Sequence, residues 1–392
     1  MIQNDYNIIV DRTAGNAEKY RLRQKLFGTD DVLPMWVADM DIATPRCIVE
    51  AVEKRAGHPV YGYEEMPDSA FEAQIEWMRR KHAVEMKREW MLFSPSVVAT
   101  INVAIQAFTR PGDKVIVQTP VYPPFFKSVV NNGRKVLSNP LKRLENGDYT
   151  FDLKDLRSKI DKDTKLLLLC SPHNPVGRVW RKEELQAVAD ICLEHNIKVL
   201  ADEIHSDLVF LPNKHTPFAS LGEEAGRITV TATGPGKTFN VAGLSISTVS
   251  ISDEGMREQF YKVYNSIHFA QGTIFGHVGF ETAYREGGPW HKGLMDHLYA
   301  NACALKGLLG RYPDKIGFKV PEGTYLAWMD CSGLGLNNRA LRRFFVQKAG
   351  LGLSAGISFG KEGSQFMRLN FAVAKPVMDE ALQRLETALK SI

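Results

Sequence analysis

The sequence predicts an α/β fold: a mainly parallel sheet flanked by helices forms a large domain, and a smaller α+β domain accompanies it. Two observations lead to this prediction. Short, almost continuously apolar runs alternate with amphipathic stretches from about residue 95 to 285, and long helical patterns follow them. A continuous apolar run is typical of a strand whose two faces are both covered by helices. The strand-like runs are Lys114–Gln118, Lys165–Cys170, Lys198–Ala201, Ile228–Ala232 and Ile246–Ile251.

Apolar residues at helical spacing predict helices between and after these strands. Those predicted are Val97–Phe108, Lys182–His195, Asp253–Ser266, Trp290–Leu309, Ala340–Gln347 and Pro376–Leu389. Strand-like runs at Tyr325–Met329 and Phe366–Phe371 lie among the last three helices. We therefore expect a large domain over 46–287 and a small α+β domain over 288–392. The irregular segment 1–45 is expected to join the small domain.

Composition and charge exclude several classes of protein. The 392 residues carry 49 Lys and Arg against 45 Asp and Glu, a net charge of +4, without a block of five like charges. Nucleic-acid and membrane partners therefore have no support, and there is no apolar run of about 18 residues. The five scattered cysteines and the missing secretory pattern at the N-terminus favour a reduced, cytoplasmic protein. The ten histidines show no ligand spacing, so we expect no metal site.

Polar residues follow four of the predicted strands. Tyr122, Asn174, Asp202 and Lys237 each come shortly after an apolar run. Each has an ordinary explanation, such as a turn at Asn174 or a helix cap at Asp202. Because ligands of open α/β sheets bind at the carboxyl ends of the strands, the convergence of a phenol, an amide, a carboxylate and an ammonium predicts a site there. A buried acid also requires a cationic partner.

Two nucleotide motifs are only partly matched. Gly236-Lys237-Thr238 resembles the end of a phosphate-binding loop, but that motif requires glycine where this chain has Thr231. Gly333-Leu334-Gly335 lacks the third glycine of a dinucleotide fingerprint. Neither a nucleoside triphosphate nor a dinucleotide is therefore expected.

Four ordered motifs point to a known family. They are SPHNPVGRVW (171–180), ADEIH (201–205), GKTFNVAGL (236–244) and MRLNFA (367–372). Together they resemble the fold-type I enzymes that use pyridoxal 5′-phosphate (PLP). Within that aminotransferase-like group the chain is similar to the carbon–sulfur β-lyases of the cystalysin and cystathionine β-lyase subfamily, to which VADMD (37–41) and YGY (61–63) also correspond. The resemblance extends from about residue 37 to 372.

The resemblance implies roles for individual residues. Lys237 would bond covalently to the PLP aldehyde and then act as a base. Asp202 would keep the pyridine nitrogen protonated, Asn174 would donate to the ring oxygen, and Tyr122 would stack on the ring. Arg368 would bind the α-carboxylate of an amino-acid substrate through its planar fork of N–H groups.

Other residues complete the expected site. The backbone N–H groups of Val97 and Val98, at the start of a helix, suit the PLP phosphate. Tyr63 would reach the phosphate from the neighbouring subunit, which implies a homodimer with shared active sites. His205 and Thr233 are expected at the cofactor, and Val37 with Asn174 at the substrate.

Departures from the family pattern refine the expected activity. Glycines replace the serines that many relatives have at 234 and 236, so Thr233 or bare backbone would have to hold the phosphate. Ser245 stands where aminotransferases have a phosphate-binding arginine, and His205 where they have a tyrosine, and both changes favour a lyase. We therefore expect α,β-elimination on L-cystathionine, L-cysteine or S-substituted cysteines, giving pyruvate, ammonia and a thiol. The alternatives are a class I/II aminotransferase and a catalytically silent regulatory or binding protein.

Overall fold

The computed structural model describes residues 6–269 and 272–392. In these residues the strands are β1 (Leu33–Pro34), β2 (Met91–Ser94), β3 (Lys114–Val117), β4 (Lys135–Ser138), β5 (Lys142–Arg143), β6 (Tyr149–Thr150), β7 (Thr164–Cys170), β8 (Lys198–Asp202), β9 (Thr229–Thr233), β10 (Ser247–Ser250), β11 (Leu326–Asp330), β12 (Leu351–Gly352), β13 (Ser354–Ala355) and β14 (Phe366–Asn370).

The helices frame these strands along the chain. They are α1 (Glu18–Arg21), α2 (Arg23–Phe27), α3 (Arg46–Ala56), α4 (Asp68–His82), α5 (Val97–Phe108), α6 (Pro124–Asn131), α7 (Leu153–Lys159), α8 (Lys182–Glu194), α9 (Glu223–Arg227), α10 (Pro235–Thr238), α11 (Glu254–Ile267), α12 (Ile274–Glu286), α13 (Gly288–Leu309), α14 (Asn338–Arg343) and α15 (Lys375–Lys390). Within the described residues, no helix is long and apolar enough to cross a membrane.

The central sheet has the strand order β2-β10-β9-β8-β7-β3-β4. The pairs β9–β8, β8–β7, β7–β3 and β3–β4 are parallel, which confirms the predicted largely parallel sheet. Strand β10 is the exception, because it runs antiparallel to both β9 and β2. The chain therefore turns back after β9 instead of crossing over, and the turn lies at the carboxyl end of β9.

Apolar packing explains why the predicted strands form the centre of the fold. Residues 166–169 of β7, Leu-Leu-Leu-Leu, are all at most 1% exposed, since helices cover both faces of the sheet. The predicted helices are also present, and α5 has the predicted bounds. One differs: α14 ends at Arg343, and a π-helical turn, Phe344–Lys348, follows it.

The N-terminal segment packs on strands from the C-terminal third. Strand β1 pairs in parallel with β12, and the Asn370 backbone N–H donates to the Met35 carbonyl over 2.9 Å. The Asn370 side chain also donates to the carbonyls of Val37 and Asp39. These contacts are those expected of a segment that joins the small domain, although the boundaries at 45 and 287 stay a prediction.

The start of the connection between β9 and β10 leaves no room for a side chain at Gly234. A Cβ atom there would lie 2.9 Å from the Cα of Ser247, a backbone atom of β10, whereas a Cβ at Gly236 would lie 3.5 Å from its nearest neighbour, the Cα of Ala242. The close approach of β10 therefore explains the glycine at 234.

We predict that Gly234→Ala lowers the free energy of unfolding by about 1–3 kcal/mol, because β10 has to shift to admit the methyl group. The control Gly236→Ala should leave stability unchanged or raised, since alanine is a better helix former. Denaturant unfolding measures both. Equal stability of Gly234→Ala and the wild type would show that β10 can move to admit the methyl group without a loss of stability.

Candidate active site

A cavity of about 680 Å³ lies at the carboxyl ends of β7, β8 and β9. It brings together most of the residues that the sequence singled out. The residues of that set which line it are Val37, Val97, Val98, Tyr122, Asn174, Asp202, His205, Lys237 and Arg368. Residues far apart in the chain thus meet in one place, because parallel strands end at the same edge of the sheet.

Lys237 lies on the short helix α10, directly after β9. Its Nζ donates a hydrogen bond to the Ala38 carbonyl, which also accepts from the Tyr325 hydroxyl over 2.9 Å. Burial, with a smaller contribution from the nearby Arg368 charge, lowers the pKa of Lys237 to about 8, although the carboxylates of Asp39 and Asp202 oppose the shift. About a tenth of this amine is therefore uncharged at pH 7, far more than for an ordinary lysine, as a nucleophile or a base requires.

Asp202 ends strand β8 on the same cavity. Burial raises the pKa of its carboxyl to about 7, although the Ile204 N–H and the Lys237 charge both act to lower it. A buried carboxylate of this kind is stabilised by a cation placed beside it. Asp202 is thus arranged to pair with a positively charged ligand group.

Arg368 and Asn174 form a receptor for an anion on another wall. Arg368 donates to the Asn174 Oδ1 over 2.9 Å and to the Trp36 carbonyl over 2.7 Å, and its guanidinium lies 4.7 Å from the centre of the Phe359 ring. Its Nε has no hydrogen-bond partner in the described part of the chain. Because Arg368 already occupies the Asn174 Oδ1, the Asn174 amide N–H groups are left to donate to a ligand.

The start of helix α5 offers donors for a second anion. The Ser96 side chain caps this helix by accepting from the Ala99 N–H, while the first-turn N–H groups of Val97 and Val98 have no partner within the helix. Both residues line the cavity. A helix N-terminus with free N–H groups is a favourable position for a phosphate.

Two aromatic rings complete the cavity wall. Burial raises the pKa of Tyr122, and the Asp202 charge adds to this effect, so Tyr122 stays a neutral phenol. Burial, together with the charges of Lys237 and Arg368, lowers the pKa of His205 to about 3. The imidazole is therefore neutral over the physiological range, which makes His205 a wall residue and not a source of protons.

Two residues of the predicted site lie elsewhere. Thr233 lies outside the cavity: its hydroxyl accepts from the Gln74 side chain over 2.9 Å in a buried polar cluster with Thr248. Side chains alternate along a strand, and the last residue of β9 points into that cluster. Tyr63 is fully exposed and borders a second cavity, lined also by Tyr261 and Phe275, so within one chain it does not reach Lys237.

Several groups in the cavity were not predicted. The Trp36 carbonyl accepts a hydrogen bond from Arg368. The Ala38 carbonyl accepts from Lys237 and from the Tyr325 hydroxyl. The motif 37–41 was the available signal, but a sequence does not show which carbonyls point inward. Asp41 of this motif forms an ion pair with the fully buried Lys19 over 3.0 Å, and this pair fixes the segment.

The residues present fit PLP. A partly neutral lysine amine suits an aldehyde, a buried carboxyl with a raised pKa suits a ring cation, and a helix N-terminus suits a phosphate. The unpartnered Nε of the buried Arg368 suits the carboxylate of an amino acid. Among the residues described, no group of three or more His, Cys, Asp or Glu side chains could hold a metal ion.

Comparison with known proteins places the chain in a family. The family model for aminotransferase class I and II matches residues 30–385. Cystathionine beta-lyase PatB of Bacillus subtilis is 39% identical over 380 residues, which cover 97% of this chain and 98% of PatB.

Solved structures give the same result. Cystalysin from Treponema denticola, whose structure contains a PLP cofactor, is 35% identical, with a TM-score of 0.96 and full coverage of both chains. A PLP-bound C-S lyase from Staphylococcus hominis is 30% identical, with a TM-score of 0.90 and 98% coverage of each chain. The chain therefore belongs to the aminotransferase class I and II family, as its motifs predicted, and its relatives in that family include proteins named as carbon–sulfur lyases.

Proposed function

We propose that this protein is a PLP-dependent carbon–sulfur β-lyase. It acts on L-cystathionine, L-cysteine or S-substituted cysteines and yields pyruvate, ammonia and a thiol. The observation that carries this proposal is the meeting of Lys237, Asp202 and Arg368 in one cavity of a chain that is 39% identical to a cystathionine beta-lyase.

The residues of the cavity have distinct roles in this reaction. Bound PLP supplies an aldehyde that condenses with amines and a protonated ring that accepts the electron pair released at the substrate α-carbon. Asp202 would hold the proton of the ring nitrogen, and the N–H groups of Val97 and Val98 would bind the phosphate. Asn174 would donate to the ring oxygen, and Tyr122 would pack on the ring.

Lys237 and Arg368 act on the substrate. Arg368 fixes the α-carboxylate, so that the α-proton points toward the Lys237 Nζ, and Lys237 in its neutral form removes this proton. The bond between the β-carbon and sulfur then breaks, and the thiolate leaves with the electron pair. Addition of water releases pyruvate and ammonia as the final products.

Transamination is the second candidate, because the family takes its name from that reaction. It begins with the same proton transfer but releases a keto acid and needs an acceptor. Elimination is preferred here because Ser245 and His205 depart from the aminotransferase pattern. A silent binding protein is disfavoured because the lysine, acid, amide and guanidinium are all present in one cavity.

The protein acts as a homodimer with shared active sites. Tyr63 is fully exposed, and Val60 and Tyr61 beside it are about 60% exposed, which is unusual for neighbouring apolar residues. A second copy that covers this segment places Tyr63 at the phosphate of its partner. A cytoplasmic location stays a prediction.

The reaction products separate the two candidate activities. We predict that the PLP-loaded protein converts L-cystathionine to pyruvate and a free thiol without any keto-acid acceptor. The Lys237→Ala variant should lose nearly all of this activity, and Lys182→Ala, which removes an exposed lysine, should retain it. Product that forms only after 2-oxoglutarate is added would establish an aminotransferase instead.

The pH dependence of PLP capture tests the state of Lys237. Only the neutral amine reacts with an aldehyde, and the pKa of Lys237 is about 8, so capture by the PLP-free protein should rise with pH through a midpoint near 8. Absorbance after mixing measures the rate. A midpoint near 10.5, the value of an ordinary lysine, would contradict the effect of burial.

Mixing of inactive variants tests the shared site. Tyr63→Ala should lower activity by about tenfold or more, because a hydrogen bond to the phosphate is lost. A mixed dimer of Tyr63→Ala and Lys237→Ala contains one intact site, so refolding the two together should restore about a quarter of wild-type activity. The control mixture of Asp202→Ala and Lys237→Ala should restore none. If the Tyr63→Ala and Lys237→Ala mixture has no more than half the activity of Tyr63→Ala alone, a shared site is excluded.

A further inference from the structure

A buried polar network lies behind the helix that carries Lys237. Thr238, the next residue of α10, is 1% exposed, and its hydroxyl donates to the Asp207 Oδ2 over 2.9 Å. Asp207 is itself buried in the segment that follows β8. The link therefore joins the segment after Asp202 to the helix that presents Lys237.

Asp207 is held in place by donors from two further helices, α4 and α13. The Trp77 Nε1 and the His82 Nε2 donate to its Oδ1 over 3.0 and 2.8 Å, and the His291 Nε2 donates to its backbone carbonyl over 2.8 Å. Burial alone would raise the pKa of Asp207, but the hydrogen bond and charge of His82, with His291 and Trp77, hold it well below the ordinary value. Asp207 is thus a fixed anionic acceptor.

A second buried pair packs against this network, next to Asp202. The rings of His82 and His215 are 5.4 Å apart and nearly perpendicular. The His215 Nε2 lies 3.1 Å from the Glu203 Oε2, but neither atom has a hydrogen-bond partner among the described residues. The other oxygen of Glu203, Oε1, accepts from the Phe218 N–H over 2.7 Å. Glu203, the chain neighbour of Asp202, therefore approaches the network through these rings, whereas Thr238, the chain neighbour of Lys237, is hydrogen-bonded into it.

Helix α10 needs such an anchor. It has only four residues, Pro235–Thr238, and its N-cap is Gly234, where β10 lies too close for a side chain. A single helical turn is not stable by itself. The hydrogen bond from Thr238 to Asp207 is a side-chain tether that fixes how this turn is rotated, and hence where the Lys237 Nζ lies.

We propose that Asp207 is a positioning residue for Lys237, acting through the Thr238 hydroxyl. This inference rests on the proposed function, in which the Lys237 amine transfers the substrate α-proton. A displacement of about 1 Å in a reacting group can lower a rate by about a hundredfold. Loss of the tether therefore affects the chemical step more than substrate binding.

The test compares Thr238→Val, Thr238→Ser and Asp207→Asn in the PLP-loaded protein. Thr229→Val is the matched control, because Thr229 is an equally buried threonine of β9 whose hydroxyl donates to the Ala225 carbonyl and has no link to Asp207. The measurements are kcat and KM for L-cystathionine, the absorbance maximum of bound PLP, the dissociation constant of PLP and the unfolding temperature.

We expect Thr238→Val to lower kcat about 10–100-fold while KM changes by less than about threefold. The PLP absorbance should shift, Thr238→Ser should restore both properties, and Thr229→Val should match the wild type in kcat. Asp207→Asn should lower kcat less than Thr238→Val does, because the asparagine amide N–H can still donate to the Thr238 hydroxyl. If Asp207→Asn does not fold, Thr238→Val decides the question.

Other results would overturn the inference. They are an equal loss of kcat in Thr229→Val and Thr238→Val, or a Thr238→Val protein whose kcat and PLP absorbance are those of the wild type. Failure of the proposed function is distinct, since the wild type itself would then eliminate no thiol. In that case, the tether would still be supported if the PLP absorbance and affinity change in Thr238→Val and return to the wild-type values in Thr238→Ser. It would be refuted if both properties of Thr238→Val are those of the wild type.

Discussion

The site depends on the burial of charged groups that have few partners of opposite sign. Lys237 lies in a cavity with the Arg368 guanidinium, and burial lowers the pKa of its ammonium to about 8. Burial raises the pKa of the Asp202 carboxyl to about 7. The charged form of each group is less stable in the cavity than in water. A ligand that supplies an aldehyde for Lys237 and a ring cation for Asp202 is therefore favoured by both side chains.

The fold supplies these positions through a single irregularity in the sheet. Because β10 returns antiparallel to β9, the connection that contains Lys237 stays at the carboxyl edge, next to Asp202 at the end of β8. The N-terminal segment then crosses this edge and contributes the Ala38 carbonyl. Residues from both ends of the chain thus close the cavity over the central sheet. Arg368 lies on β14, the strand whose Asn370 also binds the N-terminal segment.

Much of this was accessible from sequence, and the exceptions have physical reasons. Continuous apolar runs predicted the strands, and the polar residues after them predicted Asn174, Asp202 and Lys237 at one edge. The direction of β10 was not predicted, because an apolar run does not reveal which way a strand points. Thr233 was expected at the cofactor but does not line the cavity, since Gln74, which is 159 residues away, engages its hydroxyl. The partners of Asp207 lie between 31 and 130 residues away in the chain, so no local motif indicated its position.

Identification of the lysine that binds PLP shows whether Lys237 is the point of covalent attachment. The PLP-loaded protein is treated with borohydride, which reduces the covalent bond irreversibly, and the labelled peptide is sequenced by mass spectrometry. We expect one phosphopyridoxyl group per chain, on Lys237. A label on another lysine, or none above the level of the Lys237→Ala variant, would contradict it.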